Sequence, residues 1–363
     1  MKVHQILSGA GPHDAVTAEA FVFRSRFRQW GWGGRDHAGR IAPGVNGSIA
    51  GLAALRPESD DVLLIHHSAG APRLHELLAL PNPKLLLYHN VTPAPWLWEH
   101  APLVGVQCAI GREQLPRLIR AVDVAAADSE FNAAELRTLG AARTEVIPLL
   151  LDRHRLGPAL TADAVARNGS ADRAPTILFV GRLSPHKRQD ELIRVFALYR
   201  RDRAPGARLA LVGDPITPAY AQLLGRLGEG LAPGGVTIES GLSAQALSER
   251  YRSADVFVCL SEHEGFCIPL LEAFHFGLPV IARPAGAVPE VAGDAALLVE
   301  DRDPAVIAEL VHLATTDAEL RAELRRRGQA QLERFAPDQV AERLRTAVEA
   351  AAEVGRQRAA GQP

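Results

Sequence analysis

Three cysteines, one methionine and three lysines are all that a chain of 363 residues contains of these types. Cys108, Cys259 and Cys267 are odd in number and lack CxxC spacing. That excludes a disulfide framework and a zinc knuckle, and it fits a reducing cytoplasm. No apolar run approaches the roughly 18–20 residues that a membrane span needs, and the N-terminus MKVHQILSGAG runs straight into a strand-like segment. A soluble, unprocessed, cytoplasmic chain is expected. The formal net charge of −2 provides no global basic field, so nucleic acid is not an expected partner. Of 40 basic residues only Lys2, Lys84 and Lys187 are lysines. Where arginine is the habitual cation, Lys187 stands out, because a compact ammonium suits a point contact to a phosphate oxygen.

Composition is otherwise ordinary for a globular protein, with 47% hydrophobic and 23% charged residues, and the length suits two domains. Short apolar runs alternate with helical patterns at the spacing of β-α units. In the first half they are 3–7, 62–65, 84–88, 122–127 and 146–150; in the second, 177–181, 208–213, 236–240, 256–261, 279–283 and 296–299. Runs that are apolar at every position imply strands covered on both faces, hence two doubly wound parallel sheets of α/β class. The boundaries read as a domain over 1–151, a linker over 152–175 holding Leu156-Gly157-Pro158 and Asn168-Gly169-Ser170, a second domain over 176–335, and a terminal helical segment over 336–363, expected to return to the first domain. A helix is expected over 189–200, burying Leu192, Ile193, Phe196 and Tyr199 and pairing Asp190 with Arg194 outside.

The chemistry-bearing motifs fall at strand ends, where ligands of open α/β sheets sit; two such domains facing one another would enclose a cleft. After 256–261 comes EGFCIPLLE, in which Glu264 lies on a loop and Glu272 is expected in a helix's first turn. Pro269 suits the first helical position and Gly277 the position beyond the last turn. The helix start would offer backbone N–H groups and a positive dipole end to phosphate, leaving two acids for neutral hydroxyls. Phosphate beside polyol suggests a nucleotide sugar. After 177–181, the loop Gly181-Arg182-Leu183-Ser184-Pro185-His186-Lys187 carries two cations able to hold a diphosphate. The opening loop contains Gly9, Gly11 and Asp14, the last a helix cap. A dinucleotide site is disfavoured there, since the third glycine and the downstream acid are missing. Asp301-Arg302-Asp303 reads as helix capping, so no metal site is expected. Residues 24–40 interleave Arg24, Arg26, Arg28, Arg35 and Arg40 with Trp30 and Trp32, which suits either an anionic membrane surface or an ordinary first helix with a solvated face.

Arg182, Lys187 and EGFCIPLLE together resemble family-four glycosyltransferases, retaining enzymes of GT-B architecture with two Rossmann-like domains. The likeness runs through 256–291 and extends more weakly to LLLYHNVTP (85–93), DSEFNAAEL (128–136) and EVIPLLLD (145–152). It is nearest to bacterial enzymes of surface-polysaccharide assembly, several of them mannosyltransferases. The resemblance implies that Glu264 contacts the donor sugar's hydroxyls, Glu272 grips the ribose bidentately, and Arg182 and Lys187 bind the diphosphate. It adds the N–H groups of Gly265, Phe266 and Cys267, although many relatives have glycine where Cys267 stands. It gives His89 a place near the donor sugar and Gly11 an approach to the donor; His66 and His67 receive no assignment. The implied donor is a GDP- or UDP-linked hexose, mannose or glucose, bound by the second domain. The acceptor, a glycan, a lipid-linked or a small molecule, falls to the first. No cofactor is required, and peripheral contact with the inner membrane face would run through 24–40. A GT-B phosphorylase, an epimerase and a non-catalytic sugar-nucleotide-binding module are the alternatives.

Overall fold

A computed structural model describes residues 1–45, 47–159, 173–359 and 361 of the chain. It divides into two compact units, the first Met1–Trp98, Pro102–Leu150 and Ala336–Pro363, the second Glu99–Ala101 and Leu151–Phe335. Of the expected linker, Leu156 ends a single helical turn, Arg153–Leu156, capped by Asp152, and Gly157-Pro158 follow it. Asn168-Gly169-Ser170 lies outside the described residues.

The first unit holds a seven-stranded sheet in the order β3-β2-β1-β4-β5-β6-β7. Its strands are β1 Val3–Leu7, β2 Asp36–Ala38, β3 Ile49–Gly51, β4 Val62–His67, β5 Lys84–Tyr88, β6 Val124–Ala127 and β7 Thr144–Val146. The second unit holds a six-stranded sheet in the order β10-β9-β8-β11-β12-β13. These are β8 Thr176–Val180, β9 Arg208–Val212, β10 Val236–Glu239, β11 Val256–Cys259, β12 Val280–Ala282 and β13 Leu297–Leu298. Every neighbouring pair is parallel. Helices on both faces bury strands such as β4 and β5 along their whole length, which is why their segments 62–65 and 85–88 read as apolar runs.

Several expectations need correction. The strand expected over 146–150 is Thr144–Val146; Ile147 N still donates to Ala127 O at 2.8 Å, but Pro148 has no N–H with which to continue the ladder. Strands β2 and β3 are three residues each and carry no apolar run, so periodicity could not reveal them. Asp190 bonds to Arg188 Nε at 3.4 Å rather than to Arg194, because Arg188 adopts a left-handed backbone (φ 53°) just ahead of the helix Gln189–Asp202 and folds back over its first turn.

Part of the arginine and tryptophan stretch is used inside the first unit. Arg24, on the helix Ala15–Gln29, is buried and grips Asp36 of β2 through Nη2 at 2.6 Å. Trp30 and Trp32 pack edge-on against one another, Trp32 stacking on Phe27 and Trp30 tilted against it, at the rim of the first core, so they tie the helix end to the sheet. Arg28, Arg35 and Arg40 remain exposed. No described helix is long and apolar enough to cross a membrane.

The final helix, Pro337–Ala359, belongs to the first unit and packs on β4, β5 and β6. Val340, Leu344, Ala347, Val348, Ala351 and Ala352 recur at helical spacing and join Val62, Leu64, Leu85 and Leu87 in one core. Leu344 is fully buried there. Leu344→Ala should therefore cost roughly 2–5 kcal/mol of unfolding free energy, read from the denaturant midpoint at unchanged slope.

Candidate functional site

In a doubly wound sheet the carboxyl ends of two adjacent strands open a crevice where strand order reverses. In the second unit that point lies between β8 and β11, and in the first between β1 and β4. Both βα loops that the sequence marks in the second half, 181–187 and 260–267, leave β8 and β11 there.

Because β8 and β11 are hydrogen-bonded neighbours, their loops meet. Lys187, at the end of the short turn Pro185–Lys187, places Nζ 2.5 Å from Glu264 Oε2. Glu264 is buried and Lys187 nearly so, with side-chain exposures of 5% and 18%. Burial works against the ammonium, yet Glu264, Cys267 and Cys259 outweigh it and hold Lys187 above the ordinary lysine range. Cys259 Sγ lies 3.7 Å from Glu264 Oε1 and 3.9 Å from Cys267 Sγ. The loop backbone is clamped from outside: Ala287 N donates to Glu264 O at 3.0 Å, and Gly286 has φ 58° with no room for a side chain, since a Cβ would stand 2.1 Å from that same oxygen.

Cys267 caps the helix Ile268–His275 with φ 73°, the left-handed region that costs any side chain but suits glycine. A glycine would adopt that geometry without strain. The helix begins one residue before Pro269, and Glu272 is its fifth residue rather than a member of its first turn. Gly277, at φ 68°, follows the cap residue Phe276 as expected. Glu272 is buried, and its Oε2 accepts from Tyr251 Oη at 2.6 Å. Burial raises the Glu272 carboxyl while Tyr251 and Arg155 lower it, burial prevailing. A bidentate grip on a diol must therefore use Oε1 and the remaining lone pair of Oε2.

The expected residues gather to different degrees. Lys187 and Glu264 touch, whereas Glu272, on the helix that follows the loop, is held by Tyr251. Arg182 stands on the same loop but is exposed, with no side-chain hydrogen bond or ion pair among the described residues; its charge acts on buried His186 nearby. Phe266 is buried edge-on against Phe335 at 5.7 Å, so this part of the loop is pinned.

Sequence reading missed the clamps around this centre. Glu262 accepts from Arg188 Nη1 and Arg302 Nη1, each at 2.6 Å, and Glu262 N donates to His186 O at 2.8 Å, so the two loops are stitched together side by side. Arg283 pairs with Glu191 in full burial. Their spacings, up to 92 residues, carry no local signal. The expected capping at 301–303 is observed, with Asp303 accepting from Ala305 N.

In the first unit Asp14 caps the helix Ala15–Gln29, accepting from Thr17 N at 2.8 Å. Gly11 N donates to Thr17 Oγ1 at 3.1 Å, and a Cβ at Gly11 would meet only Asp14 Cβ at an ordinary 3.5 Å, so local packing does not itself demand glycine. His89, just past β5, lies in a buried polar network. Its Nε2 is 2.9 Å from His66 Nδ1, and its Nδ1 is 3.3 Å from Asp128 Oδ2. Glu19 Oε2 lies 3.5 Å from His89 Nε2, and neither Glu19 oxygen has a hydrogen-bond partner. Burial pushes the Glu19 carboxyl up to about 8, with His89 opposing. His67 Nε2 is satisfied by Gly111 O at 2.9 Å, a structural contact.

Residues 162–331 match the family described as glycosyl transferases group 1. A GDP-mannose-dependent alpha-mannosyltransferase of Mycobacterium tuberculosis is 31% identical over 273 residues, covering 72% of this chain and 67% of that protein. A D-inositol 3-phosphate glycosyltransferase of Geodermatophilus obscurus is 34% identical over 186 residues, covering 49% of this chain and only 41% of that protein. Among solved structures, a sucrose-phosphate synthase from Thermosynechococcus elongatus superposes with a TM-score of 0.74 at 17% identity, covering 99% of this chain and 100% of that one. That likeness shows the GT-B fold. With parallel sheets of seven and six strands and a sequence match that extends through both loops of the site, the chain belongs to the group 1 glycosyl transferases.

Proposed function

We propose that the chain transfers a hexose, mannose or glucose, from a GDP- or UDP-linked donor to an acceptor hydroxyl with retention at the anomeric carbon, the placement of such enzymes in family four. The observation that carries this reading is the Lys187–Glu264 pair at the strand-order reversal of the second sheet. A cation and a carboxylate in one crevice match the two halves of a sugar diphosphate.

In this reading, Arg182 and Lys187 hold the diphosphate, assisted by the N–H groups of Gly265, Phe266 and Cys267. Glu264 takes the sugar hydroxyls and Glu272 those of the ribose, while His89 and Gly11 keep the donor-side roles that the resemblance gives them. As the bond from the anomeric carbon to the diphosphate oxygen breaks, its electron pair passes to the diphosphate. Cations fixed beforehand stabilise that charge more than they stabilise the ground state. The acceptor oxygen bonds to the anomeric carbon on the same face, and its proton moves to the departing diphosphate oxygen. No carboxylate nucleophile is needed, so no covalent glycosyl–enzyme adduct should form. A polysaccharide or glycolipid acceptor fits the reading. Peripheral membrane contact through 24–40 would fall to Arg28, Arg35 and Arg40, since Arg24 is committed to Asp36.

Labelled donors test the activity: a product glycoside supports transfer, whereas sugar phosphate formed only with inorganic phosphate, an epimerised donor, or binding without turnover would each overturn it. Arg182 and Lys187 should then separate cleanly. Arg182→Ala changes an exposed residue, so stability should stay within about 0.5 kcal/mol while kcat/KM falls roughly 10²–10³-fold. Lys187→Ala leaves buried Glu264 without its cation and should cost roughly 3–5 kcal/mol of stability as well as turnover. The double change Lys187→Met with Glu264→Gln should restore most of the stability in urea titrations but none of the transfer; full activity in either single variant refutes the assigned roles.

A further inference from the structure

The hydrogen bonds that run from Gln5 through His66 to His89 can be assigned from the outside inwards. Gln5, buried in the middle of β1, donates through Nε2 to Ala20 O and to Asp36 Oδ1, each at 2.8 Å. Both partners are acceptors, so the amide cannot flip, and Gln5 Oε1 must face His66 Nε2, 3.0 Å away. An acceptor there requires the proton of His66 on Nε2. His66 is 1% exposed and can bear only one proton without an unpaired buried charge, so its Nδ1 presents a lone pair. The rings of His66 and His89 lie within 3° of coplanar, centroids 5.2 Å apart, and Nδ1 and Nε2 meet at 2.9 Å along that line. Two lone pairs cannot meet there, so His89 Nε2 carries a hydrogen. On its other side His89 Nδ1 faces Asp128 Oδ2, while Asp128 Oδ1 accepts from Asn132 Nδ2 at 2.6 Å. An ionised Asp128 places a second proton on His89.

We propose that His66, locked in one tautomer by Gln5, is a positioning residue that keeps a proton on His89 Nε2, so that His89 is held as an imidazolium whose two N–H groups are committed to His66 and Asp128 and which acts on its ligand through its charge. The inference rests on the reading that His89 orients the anionic sugar nucleotide, and it adds the atom, the proton and the residues that hold them. A neutral His89 with its proton on Nδ1 would instead set a lone pair at Nε2 against that of His66 Nδ1 and would bring no positive charge to the anionic donor. The charged and titratable groups that face His89 are Glu19 and Asp14 from the first helix and its cap, His66 and His67 from β4, and Asp128 beyond β6. Burial alone would lower the imidazolium, but Glu19 and Asp128 outweigh it and the net direction is upward. A group raised in this way is cationic below its own value and loses the charge as pH rises through it, so the transfer reaction should fail on the alkaline side.

Two measurements test this on the full-length protein. The ring-nitrogen NMR shifts of His89 should report both nitrogens protonated at neutral pH in the wild type, and one only in His66→Ala. In parallel, the alkaline limb of kcat/KM should move to lower pH by roughly one to two units in His66→Ala, the worth of a hydrogen bond to a charged group. His66→Asn sets an amide oxygen near the position of Nδ1 and removes the same ring, so it should return the limb close to its wild-type position. A wild-type His89 bearing a single proton overturns the proposal, as does an alkaline limb that is unmoved by His66→Ala or equally moved by both variants. The NMR arm needs no turnover, so its outcome stands apart from the transfer assay, whose failure would remove the proposed function.

Discussion

Lys187 and Glu264 are 77 residues apart in sequence, and they meet because β8 and β11 are hydrogen-bonded neighbours in a parallel sheet. That adjacency sends two βα loops out of the same end of the sheet, one with a cation and one with an acid. Desolvating either charge alone would cost several kcal/mol, and only their mutual contact makes the burial tolerable. The rest of the second unit's site follows from keeping this pair in place: Gly286 clamps the Glu264 backbone, and Glu262 ties in Arg188 and Arg302. The left-handed backbone at Cys267 then turns the chain into the helix that carries Glu272. In the proposed function, a diphosphate would replace Glu264 as the counter-charge of Lys187 and release a carboxylate for hydroxyls.

Much of the fold could be read from the sequence because parallel strands covered on both faces must be apolar throughout. Segments 62–65, 85–88 and 209–212 declared themselves in that way. The exceptions have physical causes. Strands β2 and β3 are too short for any periodicity, and Pro148 cuts short the strand at Thr144. Tryptophan beside arginine reads alike for a membrane rim and for a core edge, and the packing of Trp32 on Phe27 and of Arg24 on Asp36 depends on tertiary contacts that no local window contains.

The site was legible where chemistry is local and hidden where it is not. The rarity of lysine singled out Lys187, and proline and glycine bracketed the helix around Glu272, although the start of that helix was set one residue too late. His89 was singled out by resemblance to the motif around it, but the network that governs its protons was not. Gln5 and His66 lie in the interiors of strands, where a polar residue reads as an interruption of an apolar run, and Glu19 lies within an ordinary helix. Their meaning depends on contacts that cross the sheet from β1 to β4 and β5, and no window of sequence contains them.

The two sheets handle charge in contrasting ways. The second unit sets a lysine against a glutamate in near-complete burial, whereas the first sets a histidine between acids and a neutral histidine that accepts its proton. The exchange of partners at Lys187 is the central claim, and a crystal structure of the protein with a bound nucleoside diphosphate sugar tests it most directly. Lys187 Nζ should lie on a phosphate oxygen with Glu264 turned to the sugar's hydroxyls. A nucleotide seated elsewhere, with the Lys187–Glu264 contact unbroken, would contradict the account.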